Sequence, residues 1–271
     1  MKAFVISLVD SLERRKKVMD ILGQHHIHFN LINGIDGRKE NHPFLKRYNE
    51  KEFIFHYGRK AAPGELGCYA SHILAWQKCV ELGEPILVFE DDLVLKPGVK
   101  EAIKACEKLI SDYGFIRMES TRKKPQYPVK HVGKFTLFNF MKIPQCTTCY
   151  AISPQVAKAF LKHSQTIRLP VDVFIRNIWI HKQPIYGLQP FLISASNDES
   201  LIGKRAKLKH KPLSIQLICL LFKARRILFN GYYQLKWRLT RRTFVSLLIL
   251  NSQCFMLQQL TIQELEFLLI I

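Results

Sequence analysis

Two hydrophobic patterns alternate along residues 3–163. Short apolar runs bounded by turn-forming residues predict buried strands, and apolar residues three or four positions apart predict helices between them. This alternation is typical of a mainly parallel sheet with crossover helices. We interpret residues 38–63, which are mostly polar, as irregular. The predicted strands are residues 3–9, 28–32, 86–89, 115–118 and 150–152, and the predicted helices are residues 12–25, 65–81, 98–111 and 154–163.

The chain divides into three parts by composition. Hydrophobic residues make up 48% of it and charged residues 23%, as in ordinary folded proteins, so disorder is not the expectation for the whole chain. We expect an α/β domain over residues 1–202 and a basic helical segment over residues 203–242. Residues 243–271 form an apolar tail that either lies on a membrane or is poorly ordered.

Positive charge is concentrated in residues 203–242. That segment holds 12 Lys and Arg and no Asp or Glu, so the net charge of +19 leaves 19 − 12 = +7 for the rest of the chain. Tyr232, Tyr233 and Trp237 lie among the basic residues, a composition typical of a helix on an anionic membrane surface. The alternatives are a helix that packs on the core with its basic face in solvent, or an RNA-binding segment. No nucleic-acid motif accompanies the segment, so nucleic acid is not an expected partner.

Two features bear on the compartment. The apolar run at residues 3–9 is too short for a secretory signal, and the tail lacks the roughly 18–20 apolar residues that span a bilayer. Seven cysteines without regular spacing argue against a disulfide framework and for a reducing compartment. Cys146 and Cys149 form a Cys-x-x-Cys pair, but with no second pair we interpret them as buried thiols rather than a zinc or redox centre.

Three adjacent carboxylates, Glu90, Asp91 and Asp92, follow the predicted strand at residues 86–89. Like charges at this spacing repel one another, and a bound cation offsets that cost. Alternate residues of a strand face the same way, so we expect Glu90 and Asp92 to converge while Asp91 points elsewhere. Carboxylates suit Mg²⁺ or Mn²⁺, which bridge diphosphates, and ligands of open α/β sheets bind at this end of the strands. The alternative is a solvated acidic turn.

Several segments together resemble one family. They are Ile-Ser-Leu at residues 6–8 with Glu-Arg-Arg at 13–15, Gly-Glu-Leu-Gly-Cys-Tyr-Ala-Ser-His at 64–72 with Trp76, and Phe-Glu-Asp-Asp at 89–92. Three further segments of the chain, residues 115–119, 150–153 and 170–172, are similar to later segments of that family and occur in the same order. The resemblance covers roughly residues 3–200 and is to glycosyltransferase family 25, the bacterial lipooligosaccharide (lipopolysaccharide core) transferases, which include β-1,4-galactosyltransferases. It implies a GT-A-like fold and inverting transfer from a UDP-sugar, commonly UDP-galactose.

Site roles follow from the motifs and the resemblance. Asp92 is the expected Mn²⁺ or Mg²⁺ ligand, and Glu90 is expected to hold either the metal or the ribose. The nucleotide is expected at Ser7, Leu8 and Arg14, near a helix N-terminus. The uracil or ribose is expected at Asp36, and the donor near His72. The alternatives are a solvated helix face for Arg14, a turn Asp for Asp36 and a packed core His for His72.

An inverting transfer also needs a carboxylate that deprotonates the acceptor hydroxyl. Asp172 is the first candidate, although an Asp after Pro170-Val171 could simply cap a helix. Glu119 is the second candidate. A bound metal would stabilise the charge that develops on the leaving diphosphate.

The predicted function is transfer of a hexose, galactose favoured, from a UDP-sugar to a lipid-linked lipooligosaccharide acceptor. The enzyme is expected to be cytoplasmic and peripheral on the inner face of the bacterial inner membrane. One alternative is a transferase of the same fold with another donor, such as UDP-glucose. The other is a basic membrane- or RNA-binding protein without enzymatic activity.

Overall fold

The computed structural model describes residues 1–120, 126–196, 201–203 and 212–257. The strands are Lys2–Leu8 (β1), Asn30–Gly34 (β2), Ile86–Glu90 (β3), Leu93–Leu95 (β4), Phe115–Arg117 (β5), Gln126–Val132 (β6), Phe135–Phe140 (β7), Cys149–Ile152 (β8), Tyr186–Gln189 (β9) and Ile193–Ala195 (β10). The helices are Leu12–Gln24 (α1), Glu50–Tyr57 (α2), Pro63–Leu82 (α3), Val99–Tyr113 (α4), Pro154–His163 (α5), Val171–Arg176 (α6), Ile178–His181 (α7) and Leu213–Leu257 (α8).

An eight-stranded sheet, in the order β2-β1-β3-β8-β5-β9-β7-β6, forms the centre. Six strands (β1, β2, β3, β5, β6 and β9) run in one direction, and β7 and β8 run in the other. β4 and β10 form a separate antiparallel pair. The predicted α/β class, a mixed and mainly parallel sheet flanked by helices, is confirmed.

Strand alternation sends neighbouring side chains to opposite faces of this sheet. Phe89 of β3 lies in the core that includes Val18 of α1. On the other face, Trp76 of α3 packs edge-on against Phe160 of α5 with ring centroids 5.0 Å apart. Glu90, the residue after Phe89, therefore faces α3. This alternation places a carboxylate under the helix that carries His72.

Several elements were absent from the sequence prediction. The interpretation of residues 38–63 as irregular is wrong for α2, where the Asn49 side chain accepts a hydrogen bond from the Glu52 backbone N–H at 3.0 Å and caps the helix. The hairpin of β6 and β7 was missed because β6 is mostly exposed on both faces and has no hydrophobic period. The short elements α6, α7, β4, β9 and β10 were also missed.

The chain forms two compact units, Met1–Asn230 and Gly231–Ile271. The first unit extends past the predicted boundary at residue 202 because the first part of α8 packs on the α/β domain. No helix in the described ranges is long and apolar enough to cross a membrane. Residues 243–257 of the predicted apolar tail are helical, and residues 258–271 lie outside the described part of the chain.

Packing of α8 within the first unit is specific. The Phe222 ring lies 4.2 Å, centroid to centroid, from the His56 ring of α2. The Asn230 side chain donates a hydrogen bond to the Arg176 carbonyl at 2.9 Å. The opposite face of the helix is apolar and exposed, at positions that recur with helical spacing: Leu213, Leu217, Leu220, Leu221, Ile227 and Leu228.

Candidate active site

A cavity of about 320 Å³ lies where the carboxyl ends of β1, β2 and β3 meet the first turns of α3 and the start of α6. The ends of these strands are level because Ile6 pairs with Ile32 on one side and with Glu90 on the other. The cavity is lined by eight of the nine predicted site residues: Ser7, Leu8, Arg14, Asp36, His72, Glu90, Asp92 and Asp172.

Glu90 is held by two hydrogen bonds to the same oxygen. Thr147, from the segment before β8, donates to Oε1 at 2.5 Å, and Nε2 of His72 lies 3.0 Å from it. Burial alone would raise the Glu90 pKa, but these two partners outweigh it and the pKa is lowered. Glu90 is therefore a carboxylate at neutral pH, with Oε2 left for another partner.

His72 belongs to a buried chain of hydrogen bonds. Its Nδ1 lies 2.9 Å from the Tyr150 hydroxyl, which also accepts from Trp76 Nε1 at 3.0 Å. Because Trp76 can only donate, every group is satisfied when Tyr150 donates to Nδ1 and a neutral His72 donates from Nε2 to Glu90. The sequence left a packed core His open as the alternative to a donor-site His. His72 is both, since it is 1% exposed and still lines the cavity.

Asp92 has the environment expected of a metal ligand. Its Oδ1 is buried and has no hydrogen-bond partner among the described residues. Burial, followed by the negative charge of Glu90, raises the Asp92 pKa to about 6. The positive charge of Arg14 offsets only part of these two effects, and a divalent cation would supply the remaining compensation. Its oxygen donors fit Mg²⁺ or Mn²⁺, so the residues present suit the ion that the sequence implied.

Asp91 also faces the cavity, so the prediction that it points elsewhere is wrong. Ser7 donates to Asp91 Oδ2 at 2.6 Å, and Arg14 lies 3.3 Å from Oδ1. The physical reason is that β3 ends at Glu90, so strand alternation does not apply to the next two residues. Ser7 and Arg14 consequently fix the acidic turn.

The neighbouring Arg15 has a structural role. It donates to the carbonyls of Ser7 and Leu8, both at 2.9 Å, and to Asn33 Oδ1 at 2.7 Å. These bonds satisfy the carbonyls at the end of β1 and connect β1 to the end of β2. Arg15 thus differs from Arg14, which lines the cavity.

Asp36 lies in the cavity wall beside Arg38. The Arg38 guanidinium donates to both Asp36 carboxylate oxygens at 2.8 Å, and these hydrogen bonds lower the Asp36 pKa. Both residues line the cavity. A ligand here would meet an ion pair rather than an isolated carboxylate.

Glycines allow the loop of residues 35–37 to pack closely on α3. A Cβ on Gly37 would lie 2.1 Å from the Pro63 carbonyl oxygen, and one on Gly67 would lie 2.3 Å from the Ile35 carbonyl oxygen. Ser71 completes the junction by accepting from the Ile35 backbone N–H at 2.8 Å. Gly67 and Ser71 of the motif at residues 64–72 therefore set the position of Asp36.

Glu65 is not available as a catalytic acid. Arg59 donates to both of its carboxylate oxygens at 2.6 Å, and the backbone N–H of Ala62 donates to Oε2 at 3.0 Å. The buried pair fixes the start of α3.

The two candidate bases lie in different environments. Asp172 is in the first turn of α6 and lines the cavity. Glu119, the second candidate, is not among the lining residues; it is 0% exposed and forms a buried ion pair with Arg117. Arg117 also donates to the carbonyls of Pro144 and Cys146. The pair braces the segment that carries Thr147, and we assign Glu119 no role in proton transfer.

Thr147, Tyr150 and Cys68 are site residues that the sequence analysis did not single out. Thr147 and Cys68 line the cavity, whereas Tyr150 lies behind His72. Burial and the nearby charges of Glu90 and Asp172 raise the Cys68 pKa well above its usual value, so the thiol is protonated. Cys68 and Tyr150 stood inside quoted motifs, but only their spatial neighbours identify them.

Comparison with known proteins assigns a family. Residues 1–175 match the model for glycosyltransferase family 25, described as LPS biosynthesis proteins. The chain belongs to glycosyltransferase family 25. The family expected from the sequence is thereby confirmed.

Relatives within family 25 have different descriptions. The chain is similar to lipooligosaccharide biosynthesis protein lic2B of Haemophilus influenzae, with 26% identity over 69% of this chain and 73% of that protein. It is similar to procollagen galactosyltransferase 1 of Danio rerio, with 26% identity over 68% of this chain and 32% of that protein. It is also similar to the probable inactive glycosyltransferase 25 family member 3 of Rattus norvegicus, with 25% identity over 64% and 32%.

These alignments limit what the family alone can establish. The match spans about a third of the zebrafish and rat relatives' own length. Because the family contains members described as inactive, membership does not by itself separate an active transferase from an inactive one. Activity must be argued from the residues of the cavity.

Proposed function

We propose that this member of family 25 is an inverting, metal-dependent hexosyltransferase that uses a UDP-sugar, with galactose favoured. The observation that carries the proposal is the buried, unpartnered Oδ1 of Asp92 in the same cavity as the Glu90 carboxylate. The described relatives include a lipooligosaccharide biosynthesis protein and a procollagen galactosyltransferase. Both descriptions are consistent with transfer to a sugar-bearing acceptor or a protein acceptor.

Asp92 would hold the divalent cation, with Glu90 Oε2 as a second ligand or as the acceptor of a ribose hydroxyl. When bound, the ion offsets charge on the leaving diphosphate. Arg14 and Arg38 line the same cavity and provide positive charge on its β1 and β2 sides. Asp36, paired with Arg38, is placed to accept hydrogen bonds from uracil or ribose.

Asp172 is the proposed general base. It deprotonates the acceptor hydroxyl while that oxygen attacks the anomeric carbon on the face opposite the departing diphosphate. Its carboxylate belongs to α6, whereas Asp92 follows β3, so base and metal ligand are contributed by different walls of the cavity. This division is what an in-line displacement requires.

The proposed acceptor is a lipid-linked oligosaccharide, reached from an anionic membrane surface on the cytoplasmic side. The exposed apolar face of α8, with Leu213 81% and Leu228 70% exposed, supports this location. The absence of acidic residues from residues 203–242 adds attraction to anionic lipids. Docking of α8 would bring the domain to its substrate.

The test is turnover by purified full-length protein with Mn²⁺, UDP-galactose and a truncated core oligosaccharide. We expect UDP release, and we expect Asp92→Asn to lower it at least ~100-fold, equivalent to about 2.7 kcal/mol. Asp112→Asn, an equal change at an exposed position on α4, is the matched control. Wild-type activity in Asp92→Asn would overturn the metal assignment.

The same assay separates the rival donors. A panel of UDP-sugars reports whether UDP-glucose replaces UDP-galactose as the preferred donor, because donor choice depends on a few pocket contacts. If no UDP-sugar is turned over and UDP itself does not bind, the chain is a non-catalytic family member.

A further inference from the structure

Cys68, His72 and Glu90 form a compact group of potential metal ligands. Each offers one donor atom, and these sulfur, nitrogen and oxygen atoms all lie within 4.8 Å of one another. Cys68 and His72 are four residues apart on α3 and therefore share a helix face. Glu90 reaches them from the end of β3. No other such group of three was found among the described residues.

The chemistry of this group differs from that of Asp92. A thiolate and an imidazole favour Zn²⁺ and other thiophilic ions, whereas Mg²⁺ and Mn²⁺ prefer oxygen ligands. Catalytic zinc sites hold the ion with three protein ligands drawn from Cys, His and carboxylate side chains and keep a fourth position open. A cysteine has no evident use in holding a nucleotide diphosphate, so the metal-dependent transfer does not account for Cys68.

The surroundings already provide part of such a site. His72 Nε2 and Glu90 Oε1 are 3.0 Å apart, close to the separation of two neighbouring ligands around a tetrahedral ion. The ring orientation is held by Tyr150, whose hydroxyl lies 2.9 Å from Nδ1; with Zn²⁺ on Nε2, the Nδ1–H would donate to the Tyr150 oxygen. Partners of this kind on the outer nitrogen are usual for metal-bound histidines.

We propose that Cys68, His72 and Glu90 bind Zn²⁺ through Sγ, Nε2 and a carboxylate oxygen, at a site that adjoins the Asp92 site in the same cavity and has Glu90 in common with it. The bonds formed are three metal–ligand bonds; the Cys68 thiol proton is released to solvent, and the His72 proton is carried on Nδ1 instead of Nε2. The remaining coordination position opens into the cavity, where water or a diphosphate oxygen can bind.

Occupation of this site has a consequence for the proposed transfer. Zn²⁺ takes Glu90 away from its hydrogen bond with His72 and places a second dication in the donor cavity. Bound Zn²⁺ therefore blocks productive donor binding and inhibits the enzyme. This consequence rests on the proposed function, but the existence of the zinc site does not.

The test uses Co²⁺ as a spectroscopic substitute for Zn²⁺ and needs no activity. The full-length protein, titrated with Co²⁺ at pH 7.5, should develop a thiolate-to-cobalt charge-transfer band in the near ultraviolet, and Zn²⁺ should abolish it. Cys68→Ser should lose the band and bind Zn²⁺ at least ~10-fold more weakly by calorimetry, since even outer partners of metal ligands contribute that much. Circular dichroism checks that the variant is folded.

The matched control is Cys146→Ser, because Cys146 lines the same cavity but lies outside the ligand group. Cys146→Ser should retain the band and the Zn²⁺ affinity. Absence of the band in wild-type protein, or its persistence in Cys68→Ser, would overturn the zinc site. Since neither result involves UDP or turnover, failure here leaves the transferase proposal intact, and loss of turnover alone leaves the zinc site intact.

Discussion

At the scale of single residues, Gly37 determines where Asp36 lies. Any Cβ at this position meets backbone atoms on two sides, the Pro63 carbonyl oxygen at 2.1 Å and the Gly67 nitrogen at 2.9 Å. Neither group can move away as a flexible side chain would. We expect Gly37→Ala to lower the free energy of unfolding by about 2 kcal/mol and to weaken UDP binding, because the loop must shift.

Gly23→Ala provides the comparison for this prediction. Gly23 lies within α1, and a Cβ added there would meet nothing within 4 Å, so the same substitution should be neutral or stabilise by up to about 1 kcal/mol. Urea unfolding of both variants measures the difference. Equal stabilities for the two variants would contradict the close packing of the loop on α3.

Single residues also show what sequence could and could not predict. A shared site was predicted for Ser7, Glu90 and Asp92, which lie at or just after the ends of parallel strands. The carboxyl ends of parallel strands meet at one edge of the sheet. Thr147 was missed because β8 runs in the opposite direction, so its start, not its end, lies at that edge. Glu119 was predicted near the acceptor but lies in the core, because it follows β5 by two residues and the three-residue strand is too short to show which way that side chain points.

At the scale of elements, α7 ends on a histidine whose burial makes the fold sensitive to acid. Burial lowers the pKa of His181 to about 3. Nε2 of the neutral ring donates to the Ile175 carbonyl at 2.9 Å, and Nδ1 accepts from the Gln183 N–H at 3.2 Å. The unfolded chain binds this proton near pH 6.5 and the folded chain does not.

Stability should therefore fall as the pH drops from about 6.5 towards 3. The His181 contribution alone is about 3 kcal/mol between pH 7 and pH 4. We expect His181→Gln to be less stable than wild type at pH 7 but to lose less stability on acidification. Urea unfolding at pH 7, 5.5 and 4 measures this, with His28→Gln, at an exposed position, as the control. Parallel pH profiles for wild type and His181→Gln would refute the assignment.

The elements themselves were predictable where their hydrophobic period was long. α1, α3, α4 and α5 were found close to their observed ends because each repeats apolar residues over two or more turns. α6 and α7 are too short to show a period. Phe174 of α6 is buried through contacts with Trp76 of α3 and Phe160 of α5, which the sequence does not reveal. The start of α2 could have been predicted from Asn49, a residue type that commonly caps helices. It was missed because residues 38–63 are mostly polar.

For the molecule as a whole, the basic segment of residues 203–242 is proposed to bind an anionic membrane surface, where the lipid-linked acceptor would lie. We expect full-length protein to bind phosphatidylglycerol vesicles but not phosphatidylcholine vesicles, with affinity that falls as salt rises. Lys223→Gln combined with Lys236→Gln, both exposed on α8, should weaken binding about 30-fold, because each basic residue contributes about 1 kcal/mol.

The control for vesicle binding is the pair Lys104→Gln and Lys108→Gln, two exposed lysines on α4. This pair removes the same charge from the α/β domain and should leave vesicle affinity unchanged. If both pairs weaken binding equally, net charge rather than α8 determines the attraction. If neither vesicle type binds, the membrane-surface proposal is wrong, while the cavity and its chemistry are unaffected.

We propose that Asp92 holds a divalent cation that binds the diphosphate of a UDP-sugar. The decisive experiment is calorimetric titration of UDP into full-length protein, in Mn²⁺ and then in EDTA. We expect Mn²⁺ to tighten UDP binding at least ~10-fold, about 1.4 kcal/mol, and Asp92→Asn to remove this dependence. UDP binding that is equally tight in EDTA, or a full Mn²⁺ effect in Asp92→Asn, would contradict it.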